Sequence, residues 1–291
     1  MDILWAIIAR LGEVLIVQLP WAIGLAAMFT VLAIFSSQTC NPGKPWWKNR
    51  GLLTDAEYGL ILPIVMPYLR VCLIILVVAI ARGSASDDDI VDFMQNGRGP
   101  VSHLPLWGQA IFYLLATDFL LYWSHRLFHG MHLWPFHAVH HSSEDVDWTS
   151  AYRFHPVNTL LGPTLVNLIM IGLGVSPVVM VALVPFDIVT AAFVHSNLKW
   201  TLGPLKYVFA TPVFHRWHHS HPDDGGMMNY APTFAFWDVM FGTFYMPNGK
   251  LPQEYGTFDP DFPKDFAGQI IVPFKQFFQS FRSKPKTPQD V

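Results

Sequence analysis

Charge is scarce in this chain of 291 residues: Asp, Glu, Lys and Arg make up 13% of it, against about 25% in soluble globular domains. With 52% hydrophobic and 15% aromatic residues, that shortage excludes a disordered chain and an ordinary soluble enzyme. Cysteine is scarcer still. Cys40 and Cys72 are the only two, too few for a disulfide framework, and Cys72 lies in an apolar run. Basic residues are in no excess either, and a net charge of −3 gives no long-range attraction for polyanions, so nucleic acid is not an expected partner. Positive charge is also missing from the start, where residue 2 is Asp2; the first apolar stretch therefore reads as a retained span and not as a cleaved leader. The composition is that of an integral membrane protein.

A spanning helix needs about 20 apolar residues. Three stretches qualify: Val14 to about Phe35, Tyr58 to Ala81 with only Arg70 interrupting, and Leu104 to about Phe128. A fourth is longer, since no Asp, Glu, Lys or Arg occurs between Arg153 and Asp187. As one helix, His155 to His195 would extend about 60 Å, twice the hydrocarbon thickness. Gly172, Gly174 and Pro177 break the run near its middle, which predicts a helical hairpin with arms somewhat short for a full crossing. Orientation follows from Lys and Arg. The loop Cys40–Glu57 carries Lys44, Lys48 and Arg50, and nine more Lys and Arg residues occur from Lys199 onward. The loop between the second and third spans holds Asp87, Asp88, Asp89 and Asp92 against only Arg82 and Arg98. The positive-inside rule puts the first loop, the region between Phe128 and Val157 and everything after His195 in the cytosol. The expected fold is an all-α integral membrane protein with about three spanning helices, a helical hairpin and a cytosolic helical cap. The expected divisions are 1–103, 104–246 and 247–291. In the last, Phe274, Phe277, Phe278 and Phe281 recur at helical spacing, which suits a helix in the membrane interface or one packed on the cap.

Ten of the thirteen histidines fall in two windows, six between His125 and His141 and four between His215 and His221. The first window holds His125-Arg-Leu-Phe-His129 and His137-Ala-Val-His140-His141, and the second holds His215-Arg-Trp-His218-His219. Residues four apart share a helix face, so His125 and His129 can grip one ion. In each His-x-x-His-His, the first and second members are expected to share a face and the third, turned by about 100°, to reach a second ion. Eight imidazoles so arranged can serve two metal ions with about four ligands each; imidazole suits Fe, Zn, Cu and Ni alike. A loose metal-scavenging tract would be polar, whereas these windows are interleaved with Leu, Phe and Trp. Asp118 and Asp187 stand in otherwise apolar helices, where an ionisable group is a functional candidate by default. Each is placed to orient an imidazole: Asp118 seven residues before His125, Asp187 eight before His195.

The three boxes in order resemble the fatty acid hydroxylase and sterol desaturase superfamily of membrane-bound non-haem diiron oxidases. The resemblance runs from about Leu104 to Pro247. It includes Asp118, Tyr122 and Trp123, the Arg153-x-His155-Pro156 turn, His195-Ser-Asn197 and Trp237-Asp-Val-Met-Phe-Gly-Thr243. It implies His125, His129, His137, His140, His141, His215, His218 and His219 as ligands of two iron ions. His195, returned to the site by the second hairpin arm, is the ninth. Some hydroxylases of the superfamily carry another ligand four residues earlier, where this chain has Ala191. His155 reads as a structural residue of its turn. His132 and His221 read as non-ligands, and His103 as lying on the opposite membrane face.

The resemblance further implies O2-dependent chemistry: hydroxylation of a lipid C–H bond (sterol, acyl chain or alkyl ether), or desaturation from the same site. No Glu lies inside any box, which argues against a hydrolase of the His-Glu-x-x-His kind. No G-x-G-x-x-G fingerprint accompanies the boxes. Electrons are therefore expected from a cytochrome- or ferredoxin-type partner, or from a pterin. The expected membrane is the bacterial inner membrane or the endoplasmic reticulum, and purified protein can carry zinc in place of iron. A metal transporter would place ligands at mid-membrane. A haem electron carrier needs only paired axial histidines.

Overall fold

The computed structural model describes residues 2–36, 39–41, 43–82, 99–130, 132–257 and 259–282. The stretch Asp87–Asp92 lies outside them. Among the described residues all regular structure is helical. Helix α1 (Asp2–Phe35) is followed by α2 (Leu52–Arg82) and α3 (Leu106–Phe128). Helix α4 (Trp134–His141) is short, and α5 (Pro156–Gly172) and α6 (Pro177–His195) form an apolar hairpin. Helices α7 (Pro212–His218), α8 (Phe236–Met240) and α9 (Phe266–Ser280) complete the chain.

Among the described residues three helices are long and apolar enough to cross a membrane: Leu15–Phe35 in α1, Leu52–Arg70 in α2, and α6. Ile16, Val17, Ile23 and Ile34 of α1 and Val178, Val181 and Val184 of α6 are exposed, a pattern that only an apolar surrounding favours over burial. The third expected span, α3, is unbroken over 23 residues, about 35 Å. It is less apolar than the others because it buries Gln109, Thr117 and Asp118. Arg70, the interruption in the second stretch, donates from Nε to Thr164 Oγ1 at 3.2 Å, which ties α2 to the hairpin.

The hairpin is where the sequence placed it. His155 caps its first arm, accepting from the Val157 N–H. Pro163 removes one backbone donor, and the helix widens to a π-turn over Leu160–Thr164. At the tip Gly174 has φ +90° and lies against Gly99; a Cβ on either would strike the other's backbone. There the Val101 N–H donates to the Leu173 carbonyl at 3.0 Å. His103 closes the short turn at this end, before α3 begins, and so stands a full helix length from His125.

The opposite end of the bundle carries the cap. Helix α4 packs on α2 and the C-terminal region through Tyr58, Leu62, Met66, Ala138, Val139 and Phe262. Helix α9 lies across α4, with Phe274 and Phe277 on Phe136 at 5.3 and 5.4 Å between ring centres. Its other side exposes Ile271 and Phe278. It thus packs on the cap and still presents an apolar face outward. The polar segment around Asn41 and Arg50 clips onto the chain after box two and onto the end of α6: Arg50 Nε meets Asp145 at 2.8 Å, and the Asn41 N–H donates to Asn197 Oδ1 at 2.7 Å.

Candidate metal centre

All nine predicted ligands are drawn together at the cap end, in two groups. His125, His129, His137, His141 and His218 form one, and His140, His195, His215 and His219 the other. Within each group the candidate ligand atoms lie within 4.8 Å of one another. Helix α3 delivers His125 and His129 at its C-terminal end, and α6 delivers His195 as its last residue. Helix α4 and helix α7 bring the two His-x-x-His-His boxes in from opposite sides, each with proline in its first turn.

The division within the boxes differs from the expected one. His137 and His141 share a group while His140 crosses to the other, and His215 and His219 share a group while His218 crosses. The first and third members pair, not the first and second. At 100° per residue the third sits about 40° from the first, whereas the second is about 60° away on the other side. The i,i+4 pair therefore points one way and the middle histidine exchanges groups. Each box is a bridge across both sites.

Five rings are locked by an acceptor on Nδ1. His125 donates to the Tyr230 carbonyl at 2.6 Å and His137 to Asn158 Oδ1 at 2.7 Å. His140 donates to the Arg153 carbonyl at 3.2 Å, His195 to Ala191 at 2.7 Å and His218 to Met228 at 2.8 Å. With the proton on Nδ1, each Nε2 presents a bare lone pair. Yet His125 Nε2 stands 2.9 Å from His137 Nε2, and His140 Nε2 stands 3.2 Å from His195 Nε2. Both members of each pair are locked, so neither has a hydrogen to offer across the gap. Two lone pairs at that distance repel unless a cation lies between them. Ligands around an ion with bonds of about 2.1 Å stand about 3.0 Å apart at right angles and about 3.4 Å apart at tetrahedral angles. The donor set and its spacing fit one metal ion per group.

Electrostatics agree. Burial holds His129, His137, His140, His141, His215, His218 and His219 well below the ordinary imidazole range, and neighbouring imidazoles push the same way. Neutral rings are the form a metal needs.

The acidic residues do other work than expected. Asp118 does not orient an imidazole: its carboxylate accepts the Thr233 and Phe234 N–H groups at 2.9 and 3.0 Å. Asp238, which the sequence offered only as part of a motif, accepts those of Tyr230 and Ala231 at 2.7 and 2.8 Å. Together they clasp the loop whose carbonyls fix His125 and His218, so Asp118 acts one step further from the centre. Asp187 is exposed on α6 and reaches no imidazole, because eight residues bring it round to the outward side of the helix. Asn158 was missed altogether; its signal was an amide in an apolar run. His155 is structural, accepting from Val157 on Nδ1 and meeting the Ile270 carbonyl with Nε2 at 3.1 Å. His132 bonds Ser280 Oγ at 2.8 Å and stacks on Phe281, and His221 caps the turn at Pro222–Asp224. Neither joins a group.

Residues 110–243 match the fatty acid hydroxylase family model. An ornithine lipid hydroxylase, OlsE, from Rhizobium tropici is 32% identical over 173 residues, covering 59% of this chain and 52% of the relative. An alkylglycerol monooxygenase from Homo sapiens is 32% identical over 151 residues, covering 50% and 34%. A methylsterol monooxygenase from Arabidopsis thaliana is 31% identical over 155 residues, covering 48% and 55%. The chain therefore spans from a third to just over half the length of these relatives. No solved structure matches it.

Proposed function

We propose, on the premise that residues 110–243 belong to the fatty acid hydroxylase family, that the protein is a membrane-bound diiron oxidase that hydroxylates a C–H bond of a lipid. The observation that carries the reading is the pair of facing Nε2 lone pairs in each histidine group, which call for a cation in each. Two iron ions held there would supply the activation of O2. The nine histidines named above would be their ligands, five at one ion and four at the other.

The chain's own residues do the rest. The Tyr230 ring packs 5.1 to 5.7 Å from the rings of His125, His129 and His218, and Phe154 stacks on His140 at 4.0 Å. These aromatic walls keep bulk water away and hold the rings neutral. The place of the groups supports a lipid substrate: they sit at the ends of helices apolar and long enough to cross a bilayer. The relatives are named for an ornithine lipid, an alkylglycerol and a methylsterol, which supports a lipid substrate. The Lys and Arg distribution supports a centre on the cytosolic face, where a cytochrome, a ferredoxin or a pterin would deliver electrons.

Isotope labelling tests the reaction. Supplied with a reductant and 18O2, membranes holding the iron-loaded protein should yield a lipid carrying one 18O. An unsaturated product without label would make the enzyme a desaturase. Label taken from H2 18O under anaerobic conditions would overturn oxidation altogether.

A further inference from the structure

We propose that Asp55, on α2 and outside the family-matching segment, is the positioning residue for the four-histidine group, acting through Arg153. The inference rests on the two-ion reading above and extends it to a residue that contacts no histidine.

Asp55 and Arg153 form an ion pair buried on both sides, with side chains 1% and 3% exposed and N–O contacts of 2.6 and 2.7 Å. Every other arm of the pair is also engaged. Thr149 Oγ1 donates to Asp55 Oδ2 at 2.7 Å. Arg153 donates to Ser142 Oγ at 3.0 Å and to the Gly51 carbonyl at 2.9 Å. The guanidinium therefore reaches α2, the chain leaving box two and the α2 N-terminus at once. Such a fork cannot rotate without breaking several charged hydrogen bonds.

What the fork holds is its own backbone. The Arg153 carbonyl accepts from His140 Nδ1, and the next residue, Phe154, lies flat on the His140 ring at an interplanar angle of 13°. His140 is the member of its box that crosses over to the four-histidine group. Its tautomer and its direction are both set from residues 153 and 154. The other three members depend on other supports: His195 is fixed within α6, and His215 and His219 ride on α7. Release of Arg153 thus reaches one imidazole of the smaller group first. The five-histidine group takes its Nδ1 locks from Tyr230, Asn158 and Met228; the fork comes nearest to it at Ser142, beside His141, and bonds none of its rings.

Loss of an outer partner of a metal-bound histidine lowers metal affinity about 10- to 100-fold. The test is cobalt(II) titration of the metal-stripped, full-length protein in detergent, read by elemental analysis and by the cobalt absorption band. Wild type should take two ions. Asp55→Asn should retain one at wild-type affinity and weaken the other at least tenfold. Because a lone buried guanidinium can unfold the protein, the double variant Asp55→Leu with Arg153→Met removes both charges. It should melt within a few degrees of wild type and show the same one-ion defect. Glu144→Gln, at a surface pair with Arg50 and Lys264, should keep both ions. Two ions at wild-type affinity in either Asp55 variant would overturn the proposal and reduce the pair to a support of the fold. Loss of both ions from the folded double variant would overturn it as well. Fewer than two ions in wild type would instead sink the two-ion reading.

Discussion

A neutral imidazole carries one hydrogen and one lone pair, and at five of the nine clustered histidines a carbonyl or amide oxygen has already taken the hydrogen. The sequence showed which histidines would cluster, because density and helical spacing are visible in one dimension. It did not show what fixes them. Tyr230, Met228, Arg153 and Ala191 serve through backbone carbonyls, which every residue possesses, so no residue type marks them. Asp118 was noticed because a carboxylate in an apolar helix stands out, but its partner is a loop more than a hundred positions away. The unequal groups make a prediction at this scale. His215→Ala leaves three imidazoles in the smaller group, whereas His129→Ala leaves four in the larger. After loading and dialysis against a weak chelator, His215→Ala should hold one ion per chain and His129→Ala two. Equal retention by the two variants would refute the assigned division.

Helix α4 has only eight residues and three of the clustered histidines, too few to be stable alone. Its order comes from neighbours on two sides, α2 beneath and α9 above. Phe136 is 3% exposed and touches Phe274, Phe277 and His155. Phe136→Ala should therefore lower stability by about 3–5 kcal/mol, measured by denaturant melting of the detergent-solubilised protein. A loss below about 1 kcal/mol would mean that α9 is not a structural part of the cap. The hairpin was legible in the sequence, since Gly172, Gly174 and Pro177 interrupt an apolar run too long for one crossing. The clamp by α9 was not. Helical spacing of phenylalanines announces an apolar face, and cannot say whether protein or lipid covers it; here the two sides of one helix meet different surroundings.

Seen whole, the molecule has an apolar flank of exposed aliphatic side chains on α1 and α6 and, at one end of the helices, a cap that holds both histidine groups. The membrane character was legible from composition alone, because a shortage of charge needs no three-dimensional information. The side on which the cap lies rests on the count of Lys and Arg. Single cysteines at residues 83–98 and after Pro247 should react with an impermeant thiol reagent from opposite sides of sealed membranes. Reaction of both from one side would overturn the expected topology. The crossing of the middle histidines has one more consequence, which concerns manufacture. Each group needs residues from both boxes, one ending at His141 and the other beginning at His215. While the ribosome is still upstream of residue 215, the earlier histidines are already made, yet neither group has its full set. Synthesis of residues 215–219 supplies what both groups lack, so the two histidine groups are completed together, and only after α1 to α6 have been made.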